Sequence, residues 1–134
     1  MNIKMLEFVS HGDDRGQLIA VENGKEFDFP IQRFYYIFKT TKGTRRGFHA
    51  HKSLQQVLIC ICGSCKLHFD DGHETMEVHL DSPDKGVYVG NNVWREMYDF
   101  SENAVLAVLA SDIYTEDDYI RDYDEFIKYV KGEK

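Results

Sequence analysis

The sequence predicts a mostly β protein, a small sandwich or barrel that ends in one α-helix. Three observations lead to this prediction. About ten short segments are either alternating or continuously apolar, and turn residues bound each of them. The segment from Arg33 to Phe38 is aromatic and β-branched, which strongly favours a strand. Helical spacing of apolar residues begins only near the C-terminus.

Length and composition indicate one globular unit. With 134 residues, 43% of them apolar, the chain can bury a hydrophobic core. We therefore expect a single domain over residues 1–134, with the barrel at about 1–112 and the C-terminal helix at about 115–131.

The charge of the chain argues against two classes of partner. A formal net charge of −7 disfavours both nucleic acid and an anionic membrane surface, because either needs a basic face. No apolar run approaches the roughly 18 residues of a membrane span, and the first residues lack a signal-peptide core. The expected location is the cytoplasm.

The first strands are separated by turns that are rich in glycine and aspartate. The segment from His11 to Gly16 is such a turn, and Pro30 introduces the aromatic strand. The loop at Lys42–Thr44 then leads into a strand that carries two histidines. The strands predicted in this half are 3–9, 17–22, 31–40 and the segment after Thr44 that carries both histidines.

The second half continues with short strands. The run Val57–Ile61 is continuously apolar and predicts a strand buried on both faces. A turn at Asp70–His73 joins the arms of a hairpin. The remaining strands are predicted at 66–69, 75–80, 86–90, 93–98 and 104–110. Thr115 then has the character of a helix N-cap, and the acidic run from Glu116 to Asp124 is interpreted as a solvated helix face.

The cysteines do not indicate a metal or redox site. Cys60, Cys62 and Cys65 are odd in number and lie in an apolar run, with no second pair at finger spacing. We interpret them as buried, reduced thiols that act as small hydrophobic side chains.

His49 and His51 form the candidate functional centre. Residues i and i+2 of a strand share a face, so both imidazoles are expected to point into one pocket. Two histidines directed at one point indicate either a metal site or a proton-transfer site.

The spacing of Gly43, His49, His51, Gln56 and Gly63 resembles the first cupin motif. The resemblance implies a small jelly-roll β-barrel. Metal-binding cupins have a glutamate at the position of Gln56 and a further histidine where Arg95 stands. An amide and a fixed positive charge are poor substitutes for metal ligands. We therefore expect no metal and no cofactor.

Without a metal, the histidines suit proton abstraction beside a carbonyl on an anionic substrate. Arg46 or Arg95 can anchor a phosphate or stabilise an enolate oxygen. One of Tyr35 and Tyr36 must face inward, because neighbouring strand residues point to opposite faces.

A closer resemblance covers most of the chain. It is carried by the following motifs: Arg46-Gly-Phe-His-Ala-His-Lys52, Gln56-Val-Leu-Ile-Cys60, Leu80-Asp-Ser-Pro83, Gly86-Val-Tyr-Val-Gly90, Val108-Leu-Ala-Ser-Asp112 and Asp118-Tyr-Ile-Arg-Asp-Tyr123. These segments resemble the sugar 3,4-ketoisomerases, which are metal-free cupins of bacterial deoxyaminosugar pathways. The resemblance implies that a thymidine-diphosphate-4-keto-6-deoxyglucose has its ketone moved from C4 to C3 through an enediol, for S-layer or lipopolysaccharide glycans. It also implies a homodimer that exchanges N-terminal strands.

The resemblance assigns roles to particular residues. His49 and His51 match the family's catalytic pair. We expect His49 to be the main base and His51 its partner, but which of the two is the main base stays open. The expected substrate-binding residues are Arg46, Tyr36, Lys52, Gln56, Trp94 and Arg95. Because some relatives have histidine where Arg95 stands, the configuration at C4 of the product stays open.

Three alternatives remain. A nucleotide-sugar 3,5-epimerase has a similar barrel, but it is longer and pairs a histidine with an aspartate, and no such aspartate is evident beside His49. A non-catalytic cupin would bind a sugar without reaction. A dioxygenase-like cupin would hold a metal at His49 and His51.

Overall fold

A computed structural model describes residues 1–132 of the chain. Twelve strands and one α-helix occur in this part. The strands are β1 (Ile3–Glu7), β2 (His11–Asp13), β3 (Gly16–Leu18), β4 (Arg33–Phe38), β5 (Arg46–His51), β6 (Gln56–Cys62), β7 (Cys65–Asp70), β8 (Thr75–Leu80), β9 (Lys85–Val89), β10 (Trp94–Tyr98), β11 (Val105–Ala110) and β12 (Tyr119–Ile120), and the helix is α1 (Tyr123–Val130).

Two five-stranded antiparallel sheets form the body of the molecule. Their strand orders are β1-β9-β6-β11-β4 and β12-β5-β10-β7-β8. Strands β2 and β3 make a separate hairpin, which the sequence predicts as a plain turn. The expected mostly β barrel with a C-terminal helix is confirmed, and its two sheets have the layout of a cupin-like jelly roll.

The main core lies between the two sheets. Its side chains come from alternate positions of β6 to β11, as expected when every second strand residue faces the interior. Fully buried members include Leu58, Leu67, Leu80 and Leu106. Each such leucine contributes about 1.5–3 kcal/mol of hydrophobic stabilisation relative to exposure.

Strand β6 is buried on both faces, as its continuous apolar run predicts. Leu58 and Cys60 belong to the core between the sheets. Val57 and Ile59 belong to a second cluster on the outer face, which Phe27 and other residues of the β3–β4 connection cover. Both faces are thus protected from water, and polar residues are not needed at alternate positions.

The C-terminal helix is shorter than predicted. Helix α1 begins at Tyr123, where the Asp122 side chain accepts the backbone N–H of Glu125. Residues Glu116–Asp118 form a 3₁₀ turn instead of the first helical turn. Strand β12 follows and pairs with β5, so tertiary pairing overrides the local helical signal in this segment.

The cysteine prediction is correct in two of three positions. Cys60 and Cys65 are buried free thiols, whereas Cys62 is exposed near the end of β6 and is not a core residue. No helix within residues 1–132 is long and apolar enough to cross a membrane.

Candidate active site

Polar side chains from three strands meet at one end of the barrel interior. His49 and His51 come from β5, Gln56 is the first residue of β6, and Arg95 lies on β10. His51, Gln56 and Arg95 are buried polar residues in an otherwise apolar interior. Buried polar groups are costly unless they are paired, so their convergence marks a functional site.

A bulge in β5 directs His49 toward this interior. Arg95 pairs with His49 and the next residue, Glu96, pairs with Gly47, so Phe48 is an extra residue in β5. Gly47 has φ 92° and Phe48 has φ 57°, both in the left-handed region. A Cβ at position 47 would lie 2.8 Å from the backbone oxygen of Arg95, so only glycine allows β5 and β10 to approach this closely.

The two imidazoles lie next to each other under a tyrosine ring. The ring centroids of His49 and His51 are 5.0 Å apart, and the rings are nearly perpendicular. Tyr119 pairs with His51 across β12 and β5, and its ring centroid is 4.4 Å from His51 and 5.0 Å from His49. Tyr119 therefore forms one wall of the site.

Each histidine donates its Nδ1–H to an oxygen that can only accept. The Nδ1 atom of His49 is 3.1 Å from the carbonyl oxygen of Gly47. The Nδ1 atom of His51 is 3.0 Å from Oδ2 of Asp118. Both Nε2 atoms are therefore free of protons when the rings are neutral, and each can serve as a base.

Arg95 is a fully buried cation with neutral partners. Its Nη1 donates to Oε1 of Gln56 at 2.6 Å, and its Nη2 donates to the carbonyl oxygen of Val93 at 3.0 Å. Nε2 of Gln56 in turn donates to the hydroxyl of Tyr35 at 3.0 Å. Within residues 1–132 Arg95 forms no ion pair, so its charge acts on the site itself.

Burial and this charge keep both histidines neutral. The pKa of His49 is lowered from 6.5 to about 4, first by burial of the ring and then by the positive charge of Arg95. The same two causes lower the pKa of His51. The Asp118 carboxylate favours a protonated His51 ring, but burial and the nearby cations outweigh it. At neutral pH the site thus presents two uncharged bases beside a fixed cation.

Comparison with known proteins decides the family. The family model described as FdtA, WxcM-like, C-terminal, matches residues 1–131. A TDP-4-oxo-6-deoxy-alpha-D-glucose-3,4-oxoisomerase of Aneurinibacillus thermoaerophilus is 53% identical over 130 residues, which is 97% of this chain and 94% of the relative. The chain belongs to the sugar 3,4-ketoisomerase family.

Solved structures of other ketoisomerases agree with this assignment. A 3,4-ketoisomerase from Helicobacter canadensis is 50% identical, has a TM-score of 0.94 and covers 98% of both chains. A mutant sugar 3,4-ketoisomerase from Thermoanaerobacterium thermosaccharolyticum, in complex with TDP-4-keto-6-deoxyglucose, is 44% identical with a TM-score of 0.95. That match covers 98% of this chain and 95% of the other.

The ketoisomerase fold brings together four of the expected site residues. His49, His51, Gln56 and Arg95 converge as described above. Lys52 follows directly on β5 and lines a cavity of about 370 Å³ next to His51. Arg46 begins β5 with an exposed side chain, away from the buried cluster.

Two expected site residues point elsewhere. Tyr36 lies on the outer face of β4 and is 55% exposed, whereas Tyr35 faces the interior and contacts Gln56. Tyr36 therefore does not face the barrel interior in the single chain, because the strand has the opposite phase. Trp94 is also misplaced: its ring packs against Phe126 of the helix, and its Nε1 donates to Glu96.

The ketoisomerase site also contains residues that sequence reasoning missed. The acidic run that contains Asp118 was expected to be a solvated helix face, yet Asp118 contacts His51. Tyr119 likewise lies over both rings. No local pattern identifies them, because they approach β5 only through the tertiary pairing of β12.

A metal was not expected in this ketoisomerase. Within residues 1–132, no three or more His, Cys, Asp or Glu side chains are grouped so that they could hold a metal ion.

Proposed function

We propose that the protein converts TDP-4-keto-6-deoxyglucose into its 3-keto isomer by proton transfer at the His49–His51 site. The observation that supports this proposal best is the pair of neutral imidazoles with unprotonated Nε2 atoms beside the buried Arg95. The 53% identical relative is named as a 3,4-oxoisomerase of this sugar, and the solved complex contains the same sugar.

The reaction needs two proton movements on the sugar. His49 removes the C3 proton, and the electron pair forms an enediolate with its negative charge on the C4 oxygen. The proton is then delivered to C4, while the proton of the C3 hydroxyl moves to the C4 oxygen through His51. C3 thereby becomes the ketone and C4 the alcohol, and no atom or electron is gained or lost. Both histidines begin as neutral bases, which suits this order of proton transfers.

Arg95 supports the charged intermediate. Its guanidinium is buried next to the histidines, where a fixed positive charge is poorly screened. The charge stabilises an enediolate more than the neutral ketone, which lowers the activation free energy for removal of the C3 proton. Gln56 and Tyr35 hold the guanidinium in place.

Cations at the mouth of the barrel suit the diphosphate. Lys52 and Arg33 line the 370 Å³ cavity that opens beside His51. Lys52 and Arg33 are the proposed phosphate contacts, since phosphates are bound by lysine and arginine donors. Arg46, also an expected contact, is exposed at the opposite end of β5 and does not line this cavity.

The active form is proposed to be a homodimer that exchanges N-terminal strands. The hairpin β2–β3 is exposed at all of its positions and pairs with no other strand of residues 1–132. Strand β4 is a sheet edge that presents Phe34, Tyr36 and Phe38 to solvent. An exposed edge with an aromatic surface favours association with a second copy.

A cytoplasmic location is proposed as well. Cys60, Cys62 and Cys65 are free thiols, which suits a reducing compartment.

The function is tested by incubating the protein with TDP-4-keto-6-deoxyglucose in deuterated water and following the sugar by NMR. We expect a 3-keto product with deuterium at C4. The variants His49→Asn and His51→Asn should lose about 10²-fold or more of kcat, the usual contribution of an acid–base group. His79→Asn, on the exposed face of β8, is the matched control. Absence of a 3-keto product with the wild type would contradict the proposal.

A further inference from the structure

Asp118 makes more contacts than a surface carboxylate needs. It lies at the end of the 3₁₀ turn and reaches His51 across 67 positions of sequence. Its Oδ1 accepts the backbone N–H of Ser53 at 2.8 Å, and its Oδ2 accepts the backbone N–H of Leu54 at 3.3 Å as well as Nδ1–H of His51 at 3.0 Å. The carboxylate is therefore held in one orientation by the residues that follow β5.

The contact determines which nitrogen of His51 carries the proton. A carboxylate only accepts, so Nδ1 must donate, and Nε2 is left with its lone pair. Nε2 is buried and has no hydrogen-bond partner among residues 1–132. A buried nitrogen without a partner is costly, which indicates that it is kept free for a group of the substrate.

We propose that Asp118 is a positioning residue that holds His51 in the Nδ1–H tautomer with Nε2 directed at the substrate. This role rests on the proposed function, because His51 is the ring that carries the hydroxyl proton. When His51 takes up that proton, it becomes an imidazolium, and the adjacent carboxylate stabilises the charge. Asp118 itself touches neither the sugar nor the proton in transit.

The variant Asp118→Asn separates this role from simple packing. If the amide nitrogen replaces Oδ2, it donates to Nδ1 of His51 and forces the proton onto Nε2, and it loses only the longer contact with the N–H of Leu54 at 3.3 Å. If it replaces Oδ1, it meets the N–H of Ser53 at 2.8 Å, donor against donor. The first orientation is favoured, so the variant should keep the shape of the site but reverse the tautomer.

The experiment combines ¹⁵N NMR of the histidine rings with steady-state kinetics on the full chain. In the ligand-free wild type at neutral pH, His51 should show a protonated Nδ1. In Asp118→Asn it should show a protonated Nε2, and kcat should fall about 10²-fold with little change in KM. Asp81→Asn, an exposed aspartate after β8, should change neither signal nor rate.

Two results would overturn the proposal. One is a proton on Nε2 of His51 in the wild type, a measurement that does not depend on whether the variant folds. The other is a folded Asp118→Asn that keeps wild-type kcat. If the wild type does not turn over the sugar at all, the proposed function fails, while the tautomer measurement still decides whether Asp118 positions His51.

Discussion

At the scale of single residues, the pKa of His49 links the site to stability. The ring has a pKa near 6.5 when unfolded and about 4 when folded, mainly because of burial and then Arg95. The unfolded chain therefore binds the proton more tightly between these pH values. The stabilisation that the neutral ring provides is therefore complete above about pH 6.5 and is lost as the pH falls toward 4.

We expect the free energy of unfolding to fall by about 1–3 kcal/mol over this range because of His49. The measurement is urea unfolding at several pH values for the wild type and for His49→Gln, which should show a shallower dependence. His73→Gln, in the exposed turn of the β7–β8 hairpin, is the control and should keep the wild-type slope. Equal slopes for His49→Gln and the wild type would contradict the prediction.

Arg95 provides a second test at this scale. Arg95→Gln removes the buried charge that lowers the pKa of His49, so the acidic limb of kcat/KM should move up toward pH 6.5. Because the enediolate also loses its cation, kcat should fall about 10²-fold. The control is Arg45→Gln, which removes a charge that contacts Glu96 and Tyr98 of β10 instead of the histidines. It should leave the pH profile unchanged. An unchanged acidic limb in folded Arg95→Gln would count against the role of this charge.

Several of the expected site residues lie together, as the sequence predicts. Strand β5 pairs with β10, which brings Arg95 opposite His49, and Gln56 at the start of β6 accepts a hydrogen bond from Arg95. The inward direction of Tyr35 instead of Tyr36 was not predictable, because an aromatic strand is compatible with either phase. Asp118 was not predictable, since its contact with His51 depends on a pairing that no local pattern encodes.

At the scale of secondary-structure elements, the bulge in β5 controls the direction of His49. Gly47→Ala places a Cβ 2.8 Å from the oxygen of Arg95 and also forces alanine to a φ of 92°. We expect a loss of stability of about 1–3 kcal/mol from the strained backbone. We also expect a large loss of kcat, because β5 must move away from β10 and takes His49 with it.

The matched control for this substitution is Gly24→Ala. Gly24 has the same φ of 92°, but an added Cβ would meet nothing within 4 Å. It should lose stability from backbone strain and keep its activity. Thermal unfolding together with initial rates separates the two effects, and equal activity in both variants would show that the bulge does not position His49.

The elements themselves were largely predictable, with one instructive exception. Strand β6 was identified from its apolar run because both of its faces are covered. The C-terminal helix was placed too early because Thr115 and the acidic run imitate a helix start. In the folded chain Tyr119–Ile120 pairs with β5 and Ile120 packs with Trp94 and Phe126, which outweighs helix propensity.

At the scale of the whole molecule, the outer face of β4 determines the proposed assembly. Phe34, Tyr36 and Phe38 are each more than half exposed, and their rings lie 5.8 and 5.7 Å apart along the strand. β4 is also the last strand of its sheet, so one side of its backbone has no strand partner in the described part of the chain. A continuous aromatic surface beside an open edge is better explained by a second copy than by solvent.

This assembly is tested by substituting the central ring of the surface. Tyr36→Lys places a charge between two aromatic rings, and the loss of about 2 kcal/mol that is typical of an interface hot spot should weaken dimerisation about 30-fold. Analytical ultracentrifugation over a dilution series measures this shift. Tyr129→Lys changes a comparably exposed tyrosine on helix α1, at 44%, and should leave the dimer intact. A wild-type protein that sediments as a monomer at all concentrations would exclude the dimer, and a Tyr36→Lys dimer as tight as the wild type would place the interface on another face.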